Sequence, residues 1–157
     1  MCAISAEHRR GAYSLIELVV VLAIVAILGV IAGPRYANSI ALYRGEMAAN
    51  RIASDIGLAQ RIAKTSSAGE TITFTVASST YSLPGIAGLT PGSQNYSVNL
   101  AATPYLASLV SVSLGSGTSL TFDRFGQPNC GGSIVVQSGN SQRTITIDPN
   151  SGATSIQ

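Results

Sequence analysis

The chain is written in two rhythms. From Val19 to Gly33 no residue is charged, and Leu, Val, Ile, Ala and Gly fill almost every position. From Arg35 onward apolar residues return at spacings of three and four: Tyr36, Ile40, Tyr43 and Met47, then Ile52, Ile56, Ala59 and Ala63. Arg35, Arg44, Glu46, Arg51, Asp55, Arg61 and Lys64 supply the polar positions between them, which is the period of a helix with one apolar face. Gly33-Pro34 kinks such a helix rather than ending it. The pattern therefore predicts a single helix of about fifty residues, apolar all round in its first half and amphipathic in its second. Ser66-Ser67-Ala68-Gly69 closes it, with Gly69 as the expected stop.

Past Gly69 the period drops to two. Thr71 to Val76 alternates, as do Tyr96/Val98/Leu100, Val110/Val112/Leu114, Leu120/Phe122, Ile134/Val136 and Ile145/Ile147. Turn signals separate them: Leu83-Pro84-Gly85, Thr90-Pro91-Gly92, Gly115-Ser116-Gly117, Asn129-Cys130-Gly131-Gly132, Ser138-Gly139-Asn140 and Asp148-Pro149-Asn150-Ser151-Gly152. About seven short strands predict an antiparallel β-sheet or small sandwich, its apolar face packed on the amphipathic half of the helix. The expected fold class is α+β, a long N-terminal helix with a β-rich head.

Composition narrows the chemistry. Charged residues make up 10% of the 157 positions, against ~25% in ordinary soluble domains. A formal charge of +2 does not by itself argue for nucleic acid. The single histidine, His8, precedes the apolar run, so the rest of the chain has no Ser-His-Asp, Cys-His or His-ligated zinc chemistry. Cys2 and Cys130 do not make a disulfide framework, and Cys130 reads as a quiet turn cysteine. Gly115-Ser116-Gly117 is too short for a phosphate loop. Asp148-Pro149-Asn150-Ser151-Gly152 offers one carboxylate where calcium loops use several, and reads as a hairpin turn. Asp123 and Asp148 read as solvated or locally paired, and Arg124 and Arg143 are the candidates for a ligand surface. No catalytic residue, cofactor or metal is expected.

Tyr13 to Ala32 spans twenty residues, about 30 Å as a helix, the thickness of a bilayer core. Arg9 and Arg10 precede it and place the N-terminus in the cytoplasm and the remainder outside. Two readings compete. One is a conventional signal peptide cut after Val30-Ile31-Ala32, which releases a small β-protein beginning at Gly33. Pro34 just beyond that cut, and a run longer than an h-region of ~7–15 residues, count against it. The other is a retained anchor in which Glu17 has a role.

The residues Gly11-Ala12-Tyr13-Ser14-Leu15-Ile16-Glu17-Leu18, behind a basic leader, resemble the N-terminus of type IV pilins and type II secretion pseudopilins. The commonest form of that motif has Gly directly before Phe, so two cleavage registers exist here, after Gly11 or after Ala12. The second is favoured because it makes Tyr13 the first residue and leaves Glu17 four residues beyond it. The resemblance implies a leader over 1–12, a membrane and assembly segment over 13–34, an amphipathic helix over 35–69 and an extracytoplasmic head over 70–157. It also implies cleavage by prepilin peptidase, N-methylation of Tyr13, a helix bend at Pro34, and insertion in inner-membrane lipid. Other pilin-like subunits and inner-membrane assembly machinery are the implied partners. A carboxylate costs ~2.5–3.5 kcal/mol at the bilayer centre, less near the interface, and normally has a partner. The α-amino group freed on Tyr13 is the natural one, within the chain or on a neighbouring subunit, where the pair sets axial register. Residues 52–76 and Leu120 to Pro128, with the hairpin that follows, resemble the GspH/FimT-like minor pseudopilins and minor pilins. A minor pilin that binds DNA or another ligand at a filament tip is the alternative within this class.

Overall fold

The structure, a computed structural model, describes residues 14–84, 86, 95–115 and 117–157, and of residues 31–34 it describes the backbone alone. One helix, α1, runs Leu15–Ser66 without a break. Eight strands follow: β1 Glu70–Thr75, β2 Thr80–Leu83, β3 Tyr96–Asn99, β4 Ser108–Leu114, β5 Ser119–Phe122, β6 Gly132–Ser138, β7 Ser141–Ile147 and β8 Thr154–Ile156. They form two antiparallel sheets of four, ordered β3-β2-β1-β5 and β4-β6-β7-β8. The chain divides into two compact units at Ala37/Asn38, so the head includes α1 from Asn38 onward.

Within the head, one apolar cluster draws on the helix and on both sheets. Ala48, Ala49, Ile52, Ile56, Ala59 and Ala63 come from α1, and Ile72, Phe74, Tyr81, Leu83, Leu120 and Phe122 from the first sheet. Leu109, Leu114, Ile134, Val136, Ile145 and Ile147 come from the second. Most helical members are alanines, which let the helix approach the strands closely, while Ile52 and Ile56 fill the space between. The periodic alternation of β1, β2 and β3 buries every second residue, as a half-buried strand requires. Ser79, buried and at φ 51°, ties the sheets together. Its carbonyl accepts the Leu100 N–H at 2.9 Å and its hydroxyl accepts the Leu109 N–H at 3.1 Å.

Four sequence expectations are corrected. The first half of the predicted helical stripe is not part of the core: Tyr43 is 67% and Met47 44% exposed, and Tyr36 is exposed as well. The buried face passes instead through Gly45, Ala48 and Ala49, because close approach to the strands favours small residues. Second, the helix ends at Ser66, and Ser67 rather than Gly69 takes the left-handed position, at φ 52°. Thr65 and Ser66 hydroxyls donate back to the Ile62 carbonyl in that last turn. Third, β4 buries Leu109 and Leu114 but exposes Val110, since a bulge between Leu109 and Ser111 shifts the register and turns the face over. Fourth, β2 and β8 were not anticipated, being four and three residues long and hidden among turn signals.

The Asp148 turn behaves as the sequence suggests, as the link from β7 to β8. Asp148 Oδ1 accepts the Asn150 N–H at 2.9 Å, the Ser151 N–H at 2.7 Å and the Ser151 hydroxyl at 2.9 Å. The Ser151 amide above all, then its hydroxyl and the Asn150 amide, lower the carboxyl below its ordinary range. Gly132 shows the closest backbone approach in the head: a Cβ there would overlap the Ser113 carbonyl oxygen across the β4–β6 pair. Gly132→Ala is expected to cost on the order of 3 kcal/mol, among the larger single-residue effects, read as a lowered midpoint in chemical denaturation of the solubilised chain.

Candidate functional site

The N-terminal candidates lie at and before the first turn of α1. Gly11, Ala12 and Tyr13 lie outside the described residues. Ser14 precedes the helix, its carbonyl accepting the Leu18 N–H at 3.2 Å, and Glu17 sits exposed in the first turn. A carboxylate there is favoured by the positive end of the helix dipole. From Leu15 to Val30 every side chain is exposed, and the helix is long and apolar enough to cross a bilayer. Pro34 lies within the helix, and its side chain is outside the described residues.

The head holds a polar cluster that the sequence reading missed. Asp55, one of the polar positions between the apolar residues of the helix, is 5% exposed and faces the core between Ile52 and Ile56. Its Oδ2 accepts the Tyr81 hydroxyl at 2.5 Å, the Tyr96 hydroxyl at 2.7 Å and Arg51 Nε at 3.1 Å. Arg51 lies one helical turn earlier on α1 and donates a second time, from Nη2, to the Tyr96 oxygen. That hydrogen bond to Tyr96 is the main reason the guanidinium is held above its ordinary range, with Asp55 adding to it. Burial, and then the bond to Asp55, push both tyrosine hydroxyls upward. Tyr81 belongs to β2 and Tyr96 to β3, so one carboxylate fastens the helix to two adjacent strands. The phase of Asp55 was the available signal: three and four residues separate it from Ile52 and Ala59.

The other candidates have local partners. Arg124 stacks over the Phe125 ring at 4.9 Å, and Arg143 Nη1 donates to the Gln142 carbonyl at 3.1 Å. One follows β5 and the other lies in β7, in different sheets, and no contact between them is found among the described residues. Cys130 is half-buried at the edge of the core, its thiol 3.4 Å from Asn129 Oδ1. Asp123 Oδ1 accepts the Phe125 and Gln127 amides at 2.9 and 2.8 Å, so it stabilises its own loop.

Residues 8–33 match the prokaryotic N-terminal methylation motif. No curated protein matches the chain by sequence. Its fold is similar to that of the type IV minor pilin FimU of Pseudomonas aeruginosa strain PAO1 in two crystal forms. In space group P21 the TM-score is 0.53 at 13% identity, covering 72% of this chain and 87% of that one. In space group P65 it is 0.51 at 12% identity, covering 71% and 91%. At such identities the likeness is one of fold.

Asp55→Ala is expected to destabilise the head by about 3 kcal/mol, the low end for a broken buried pair because Arg51 is partly solvated. Tyr81→Phe, which removes one of three donors, costs about 1 kcal/mol. Both are read from denaturation midpoints. The tyrosines also give a sign for pH. Their folded values lie above the unfolded value of about 10. Their contribution is therefore complete below about pH 10 and is lost as pH rises beyond it. Tyr81→Phe should flatten that alkaline decline.

Proposed function

We infer that this type IV pilin-like chain is a structural subunit, cut by prepilin peptidase, N-methylated and assembled through its helix into a filament. The observation that carries the reading is the position of the methylation motif, residues 8–33, over the start of a 52-residue helix whose exposed apolar half leads into a β-rich head. A soluble domain gains nothing from such a helix. A subunit that waits in a bilayer and then packs against the helices of its neighbours needs one. The class that fits is a minor pseudopilin of a type II secretion pseudopilus or a minor pilin of a type IV pilus, and the fold likeness to a minor pilin supports it.

In this reading the cut falls between Ala12 and Tyr13, the head faces the periplasm and the N-terminus the cytoplasm. Glu17 then meets the new amine of Tyr13, within the chain over one helical turn or on the preceding subunit of the filament. The intermolecular pair draws an incoming subunit to a fixed axial step, since a carboxylate at this depth is costly until a cation meets it. Pro34 allows the helix to bend where it leaves the membrane-spanning stretch. No bond-making chemistry of its own is assigned to the chain.

Sequencing of the mature N-terminus is expected to give N-methylated Tyr13, whereas a mature chain beginning at Gly33 would refute the proposal. Glu17→Ala should insert in the membrane normally and lose on the order of ten-fold in filament incorporation, equivalent to about 1.4 kcal/mol. Incorporation is read by quantifying the subunit in sheared filaments.

A further inference from the structure

The head has two ends along its part of α1, each marked by a turn. The β6–β7 turn packs where the chain enters the head: a Cβ on Gly139 would stand 3.0 Å from the Ala41 methyl, and one on Gly45 would lie 3.7 Å from the Ser141 carbonyl oxygen. The β7–β8 turn packs at the opposite end, where the Ser151 carbonyl accepts the Gln60 amide at 2.8 Å. Arg35 is the first charge past the apolar run, with Asn38 three residues and Ala41 six residues further along an unbroken helix. Those steps rise about 5 and 9 Å. The head-group layer of a bilayer has a similar depth, about 5–8 Å on each side of the hydrocarbon. However the helix leans, so short a length of chain keeps the β6–β7 turn beside that layer while the apolar run is in lipid.

The chemistry of that end suits a phosphate. Asn38, Ala41 and Leu42 on α1, with Asn140 and Ser141 in the turn, line an open hollow of about 290 Å³, the size of the smallest ligand clefts, which run ~300–1,000 Å³. The Gln137 amide donates to the Gly139 carbonyl and accepts from Gln142, so both are used within the hairpin. The Asn38 and Asn140 side chains are exposed and have no hydrogen-bond partner among the described residues. Across 35–47 and 137–143 the charges are Arg35, Arg44 and Arg143 against Glu46, three minus one, a net +2. At the opposite end, across 60–70, 123–127 and 148–152, Arg61, Lys64 and Arg124 are balanced by Glu70, Asp123 and Asp148. Neither Arg44 nor Arg143 makes an ion pair among the described residues. Tyr43, 67% exposed, and Leu42, 42% exposed, lie beside the hollow, and tyrosine is a residue that membrane interfaces favour.

We propose that this end of the head rests on the bilayer and takes the phosphate of an anionic phospholipid in the hollow. The Asn38 and Asn140 amides and the Ser141 hydroxyl donate to the phosphate oxygens, Arg44 and Arg143 supply the charge, and Tyr43 and Leu42 settle among the head groups. Lipid is the occupant because the helix holds the hollow at the level of lipid phosphates, and a tethered contact of that kind needs little affinity of its own. The surplus of cations at this end, absent from the other, matches the sign of such a surface. The contact rests on the reading that the apolar half of α1 spans the membrane. It steadies the head while the subunit waits there and has to be given up when the subunit leaves.

The test uses the full chain, with Cys2 and Cys130 changed to serine, in vesicles of phosphatidylcholine alone or with phosphatidylglycerol added, at low protein-to-lipid ratio. Nitroxide labels on Asn140→Cys, Asn150→Cys and Val25→Cys report depth through collisions with oxygen and with a water-soluble nickel chelate. In the anionic vesicles the label at 140 is expected to be shielded from nickel and the label at 150 is not. Arg143→Gln should lower the ratio of docked to free heads about five-fold, the effect of one cation near an anionic surface, and neutral vesicles should lower it at least as far. Asn38→Asp, at an exposed position, should give a similar loss with an unchanged thermal midpoint. Equal exposure of 140 and 150 in anionic vesicles, or shielding indifferent to lipid charge, would overturn the proposal. So would shielding that needs a high protein-to-lipid ratio, where copies meet, or that free glycerol phosphate or single-stranded DNA confers in neutral vesicles. If the label at 25 lies in hydrocarbon while the label at 140 lies in water, only the head contact falls. If the label at 25 lies in water, the anchor reading falls as well.

Discussion

A helix that shows apolar side chains on every side must be covered by something other than its own chain. From Leu15 to Val30 every side chain is exposed, on a helix long and apolar enough to cross a bilayer. Everything distinctive about the molecule follows from that requirement. One continuous helix serves an apolar surrounding over its first half and a β-rich head over its second, and the sequence changes composition where the task changes.

The core of the head carries a cost that an all-apolar core would avoid. Burying Asp55 removes a carboxylate from water, and only three donors arriving at one oxygen make this tolerable. What the arrangement adds is geometry. Methyl groups on Ala48, Ala59 and Ala63 would accept many rotations of the helix against the strands, because dispersion contacts are not directional. A carboxylate that must meet hydroxyls from both β2 and β3 accepts very few.

Much of this was legible in the residues. The 3.6-residue period, the change to alternation after Gly69 and the turn dipeptides located the helix and most of the strands. The motif around Glu17 lies within residues 8–33, which match the N-terminal methylation motif, and it was visible from a handful of positions. Other features were not legible, for identifiable reasons. Tyr36, Tyr43 and Met47 share a helical face with Ile40 but stay exposed, because periodicity shows that a face exists and not what covers it. The bulge in β4 depends on how β6 pairs with it, which no local pattern in β4 records. Asp55 stood out only as a polar position, although its phase, three and four residues from Ile52 and Ala59, pointed inward. Arg124 was singled out for its charge, whereas its stacking on Phe125 is a matter of loop geometry.

Gln60 gives the helix a further property. Its single amide nitrogen is shared between the carbonyls of Gly126 and Ser151, in the turns that follow β5 and β7. Those turns belong to different sheets, so one side chain locks both to the same point on the helix. With Asp55 fixed about one and a half turns earlier, the helix is keyed to the head at two levels. A pull along its axis has to break both keys at once, a shear load shared between sites, and not peel them open in succession.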